Sequence, residues 1–142
     1  MRWLAVNVLL TAFGCSALLA QGSAQFRSCM DNADTQHAMH VCANEEAKRV
    51  NAELDDTYRK LLSAAANSSY EPEAVAKIAN AEKAWVAYRD AYIEANYPAK
   101  DKQGVYGTIF PMQVDLLWVK LTRKHIEELN DLLRHYSGVP GY

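Results

Sequence analysis

Three long stretches of this chain place apolar residues every three or four positions, the spacing of one helix face. The first follows Asp34-Thr35, either of which can cap a helix N-terminus, and runs through Met39, Ala43, Ala47, Val50, Leu54, Tyr58 and Leu61. It fades at Asn67-Ser68-Ser69, a cluster of turn residues. The second opens near Glu71-Pro72-Glu73, where a proline in the first turn and acids at the positive end of the helix dipole both favour a start. Its stripe is Val75, Ile78, Ala81, Trp85, Tyr88, Tyr92 and Ala95, and it ends before Pro98. The third runs from about Ile109 to His135, with Met112, Leu116, Val119, Ile126, Leu129 and Leu133 on its face. Trp118, Leu121 and Leu132 widen that face. No strand-like alternation of useful length occurs. The pattern predicts an all-α fold, an antiparallel bundle of about three long helices. Tyr97–Thr108 is its longest loop, and Ser137–Tyr142 is a tail.

The first 24 residues read differently. Arg2 precedes an uncharged, mostly apolar run from Trp3 to Ala20, short for a membrane span of about 20 apolar residues. A positive start, an apolar stretch and small residues beyond it describe a secretory signal peptide. Gly22-Ser23-Ala24 offers a small-x-small cleavage site, so the mature chain is expected to begin at Gln25. This gives a leader at 1–24 and one helical domain at 25–142, located in the periplasm or secreted. Membrane contact is expected only through the leader. Cys15 raises a lipoprotein alternative. It is disfavoured because Phe13 fits a lipid-attachment box poorly and the apolar run continues past Cys15 through Leu18-Leu19.

Processing moves the formal charge from −2 to −3, since the leader carries Arg2 and no acid. A mildly acidic domain without clustered Lys and Arg argues against nucleic acid as a partner. Two cysteines remain, Cys29 and Cys42. In an oxidising compartment an even pair reads as a disulfide, here tying an extended N-terminal segment to the first long helix. Closing such a loop is worth about 3 kcal/mol in the chain-entropy model.

Catalytic constellations are not evident. Glu45, Glu46, Asp55, Asp56, Glu127 and Glu128 are neighbours in sequence, and adjacent positions diverge by about 100° on a helix. They read as a solvated face rather than a paired-carboxylate centre. Ser63, Ser68 and Ser69 lack a nucleophile-elbow context. His37 and His40 with Cys42 match no standard zinc spacing, and the four histidines read as solvated or capping residues. No cofactor motif is present, and the sequence leaves the oligomeric state open.

The segment Ala81–Asp90, AEKAWVAYRD, is more distinctive. Trp85 and Tyr88 stand three apart, close enough to share a helix face, with Arg89 and Asp90 directly after them. The expected role is structural: both aromatics packed inside the bundle, with Arg89 and Asp90 paired near them, because a buried charge must find a partner. The Tyr97–Thr108 loop is the better functional surface. Tyr97, Lys100, Lys102 and Tyr106 are the candidate partner-binding residues, tyrosine being a favoured low-entropy contact residue.

From Cys29 to Leu133 the chain resembles the LprI-like lysozyme-inhibitor family of small secreted or periplasmic bacterial domains. The resemblance is carried by Cys29, Asp34-Thr35-Gln36, Met39 and Cys42, then Glu53-Leu54-Asp55 with Tyr58 and Leu61. AEKAWVAYRD is similar to the family's Ala-Gln-Arg-Ala-Trp and Tyr-Arg-Asp pattern, Gly107-Thr108 to its Gly-Ser turn, and Leu121-Thr122 to its Leu-Thr. Asp55 stands where relatives usually carry Asn, and His125 where they carry Arg. Ile93 and Leu117 occupy the places of a second cysteine pair found in many relatives. The resemblance implies a disulfide-tied helical bundle without catalytic residues. It implies a protein partner, lysozyme or another cell-wall hydrolase. Beyond the resemblance, the Tyr97–Thr108 loop is expected to enter that partner's cleft. An immunity or envelope-stress module for another periplasmic partner is the alternative.

Overall fold

A computed structural model describes residues 22–69 and 73–138. Most of the expected leader, including Cys15, lies outside these residues, as do Glu71 and Pro72. The described residues form α1 (Ala24–Asp31), α2 (Gln36–Ala66), α3 (Glu73–Asn96), α4 (Lys102–Tyr106) and α5 (Phe110–Tyr136). Among them there is no strand, and no helix is long and apolar enough to cross a membrane. The three long helices of the pattern are α2, α3 and α5, and the fold is all-α as expected.

Two points, one at the helix starts and one further along, tie α2 to α5. Gln36 shares hydrogen bonds with Thr108, and Glu46 pairs with Arg123. These helices therefore run parallel. Contacts from Glu82 to His125 and from Arg89 to Trp118 show α3 running antiparallel to α5. The result is an up-down-up bundle in which the first and third long helices make much the most extensive contact. Val50, Leu54, Leu61 and Ala65 of α2 meet Val119, Ile126 and Leu129 of α5 in one core, which Ala74 and Ile78 of α3 complete. The stripes read for α2 and α5 supply the residues of these two helices except Ala65.

The helix starts have local causes. Thr35 caps α2, its hydroxyl accepting from the Ala38 amide at 3.1 Å. Pro111 sits in the first turn of α5, where its missing N–H costs nothing. Cys29 and Cys42 are bonded, with their Cα atoms 5.7 Å apart. The N-terminal segment is not extended, however: it is helix α1. Ser23 is its cap, accepting from the Phe26 amide at 2.9 Å. In the sequence, Ser23 reads as one small residue of a cleavage site, so its capping role is hidden.

The face predicted for α3 is turned by one position. Ala81, Tyr88, Tyr92 and Ala95 are exposed, Tyr88 by 56% and Tyr92 by 40%. The inward positions are Ala74, Ile78, Glu82, Trp85, Arg89 and Ile93, at steps of four and three. Two of these are charged, so an apolar pattern does not select them. Only Ala74 and Ile78 are fully buried, both near the start of α3, and the rest of the helix lies more lightly on the bundle.

Candidate partner-binding site

Two polar assemblies link the helices of the bundle. At the first, Glu46 of α2 is 3% exposed, which corrects its place on a solvated face. The Ser23 amide and hydroxyl donate to its two oxygens at 2.9 and 2.7 Å. Arg49 donates through Nε and Nη2 at 3.1 and 2.9 Å, and Arg123 of α5 adds a further bond. Burial alone would raise this carboxyl. The donors, Arg49 foremost and then Ser23 and Arg123, outweigh it and hold the group at about 2. One carboxylate thus joins α1, α2 and α5.

The second assembly lies where α3 crosses α5. Trp85 is half-buried, and its ring stacks on that of His125, centroids 4.0 Å apart and planes within 6°. The Arg89 guanidinium lies 5.2 Å from the Trp85 ring centroid and 5.4 Å from that of Trp118. Arg89 also donates through Nε and Nη2 to Asp90 at 2.8 and 2.7 Å. The structure thus brings Trp85, Arg89 and Asp90 together, whereas Tyr88 lies apart from them. Tyr88 points outward beside Tyr92, their ring centroids 5.8 Å apart. His125 is buried rather than solvated, with its ring nitrogens against Glu82 and Glu128. Sequence reasoning missed it, although its substitution for the family's Arg was a usable signal.

The Tyr97–Thr108 segment is a built platform rather than a plain loop. Lys102 donates to the Tyr97 carbonyl at 2.6 Å and to Glu94 at 2.8 Å. The Ala99 amide donates to the Tyr106 hydroxyl at 3.2 Å. Tyr97 meets Tyr106 and Phe110 edge-on at 5.2 and 5.1 Å, and Tyr106 stacks on Phe110 at 5.6 Å. Asp101 caps α4 by accepting from the Gly104 amide at 2.9 Å. A Cβ on Gly104 would sit 2.1 Å from that carboxylate, so a larger residue there would make Asp101 shift. Gly107, at φ 72°, takes the left-handed turn that leads toward α5.

Of the four residues singled out in this loop, Tyr97, Lys102 and Tyr106 are engaged inside it. Lys100 alone stands exposed without an ion pair among the described residues. Val105, 64% exposed, and Ile109, 38% exposed, add the apolar contact area that sequence reasoning did not select. The loop therefore presents one cation and two aliphatic side chains on a braced support.

The family model for lysozyme inhibitor LprI matches residues 29–129. A protein of Rhizobium meliloti (strain 1021), described only as uncharacterised, is 30% identical over 108 residues, covering 70% of this chain and 74% of that protein. No solved structure matches. The family match begins at the disulfide, ends in the last core turn of α5 and takes in the loop, the second assembly and all of the first but Ser23, and the chain belongs to the LprI lysozyme-inhibitor family.

Proposed function

We propose that this protein is a periplasmic or secreted inhibitor that blocks a cell-wall muramidase by placing the α3–α5 loop in the enzyme's cleft. The observation that carries the placement is the braced loop itself. Binding gains affinity when the contact surface is ordered beforehand, because less conformational entropy is lost on association. The aromatic support of Tyr97, Tyr106 and Phe110 and the Lys102 bonds supply that order. In this reading the Lys100 ammonium meets an acidic group of the cleft, and Val105 and Ile109 cover its apolar wall. The acidic net charge favours approach to a basic enzyme.

The test is turbidity loss of cell-wall substrate by lysozyme, titrated with the protein. The unchanged chain should slow lysis. Lys100→Ala with Val105→Asp should weaken inhibition by about tenfold or more while leaving the helical signal intact. Inhibition of unchanged strength by that double variant would move the contact surface elsewhere. Absence of inhibition by the parent chain would reject the muramidase, and lysis by the chain alone would reject the inhibitor reading altogether.

A further inference from the structure

His125 meets two carboxylates at once. Its Nε2 lies 2.7 Å from Glu82 Oε2 on α3, and its Nδ1 lies 3.3 Å from Glu128 Oε2 on its own helix. An ionised carboxylate only accepts hydrogen bonds, and a neutral imidazole carries one N–H. Both contacts are satisfied together only when both ring nitrogens hold a proton. The side chain is 8% exposed and Glu82 16%, so water does not readily replace the Glu82 contact. The flat stack on Trp85 also favours a cationic ring, because an indole face attracts positive charge.

We propose that His125 acts as a proton-operated latch, gripping α3 against α5 as an imidazolium and loosening that grip when it gives up a proton to solvent. The Nδ1 contact is the longer of the two, and its partner Glu128 is 58% exposed. The neutral ring still donates to Glu82 through Nε2. It no longer offsets the charge of that carboxylate, and its attraction to Trp85 falls. The other charged or titratable groups at this crossing are Arg89 and Asp90 of α3 and Tyr58 of α2. Arg89 is already committed to Asp90 and to the two indoles. Tyr58 is raised above its usual range by burial and then by the charge of Glu82. None of them supplies a second cation for Glu82.

The latch acts where the helix needs it. Beyond Ile78, α3 has no fully buried residue, so the Trp85–His125–Glu82 contact carries much of its attachment. The same helix ends at the Glu94 and Tyr97 contacts that hold Lys102, so loosening α3 also loosens the support of the loop. The latch itself does not depend on what the loop binds.

Amide exchange of residues 79–96 in the full chain, corrected for intrinsic rates, tests this between about pH 5 and about pH 8, the range in which histidine changes charge. Protection should fall by about tenfold or more on raising the pH, the effect of weakening one charge-assisted hydrogen bond. His125→Gln and Glu82→Gln should each show the lower protection at both pH values, with no pH step. Ring-nitrogen NMR of His125 should show both nitrogens protonated at the lower pH. The proposal is overturned by a ring with one proton at the lower pH, by pH-independent protection in the parent chain, or by a pH step that survives in either variant.

Discussion

Trp85 and Tyr88 are three residues apart on one helix, and their surroundings could hardly differ more. Trp85 lies between α3 and α5 against His125, whereas Tyr88 is 56% exposed. Trp85→Ala removes a ring from a packed stack and should cost about 2 kcal/mol or more. Tyr88→Ala should stay within about 0.5 kcal/mol. Urea unfolding of the two variants compares them directly. Equal losses would mean that Tyr88 carries packing the exposed ring does not suggest. Of the distinctive run AEKAWVAYRD, the network therefore keeps Trp85, Arg89 and Asp90 and adds His125 from another helix.

Among the elements, α4 is the most delicate. It is only five residues long, and its start depends on Asp101 reaching the Gly104 amide. Gly104→Ala should expel that carboxylate and cost about 1 kcal/mol of local capping. Inhibition in the turbidity titration should weaken several-fold, while global unfolding shifts little. An unchanged titration would show that the order of α4 is irrelevant to binding. The longer helices show why some structure was legible in the sequence and some was not. In α2 and α5 the buried positions are mostly aliphatic, so their spacing alone reveals the face. In α3 the inward face includes Glu82 and Arg89, which are tolerated there because His125 and the two tryptophans meet them. His125 sits 43 residues from Glu82, and Trp118 about 30 from Arg89, beyond any local pattern. The same reasoning covers Glu46, whose outer partners Ser23 and Arg123 lie 23 and 77 residues away. The loop was legible as a surface, but its supports and its exposed tip look alike until the rings and Lys102 are seen together.

At the scale of the whole molecule, stability under acid should follow Glu46. Its folded-state value of about 2 lies below the ordinary 4.5. The folded form thus binds the proton less readily than the unfolded form. The contribution is fully present above the ordinary value and is lost as pH falls toward about 2. The parent chain and Glu46→Gln should differ by about 3 kcal/mol near neutral pH, and their stabilities should converge as the medium approaches the folded value. Denaturant midpoints across that range measure it. A constant gap would mean that the loss in the variant is unrelated to the carboxylate's charge.

Ser23 gives this junction a consequence for biogenesis. A leader peptidase acting after Ala24 would remove the cap of α1 and both Ser23 bonds to Glu46, leaving that acid to the two guanidiniums. A cut before Gly22 would release a chain that keeps all of them. Such a scission would be made on an unfolded chain at the membrane, so the folded contacts would not guide it. The position of one hydrolysed peptide bond would then set how firmly the processed chain holds its first helix, and two processed forms of the same gene product would differ in acid resistance without differing in any residue of the bundle.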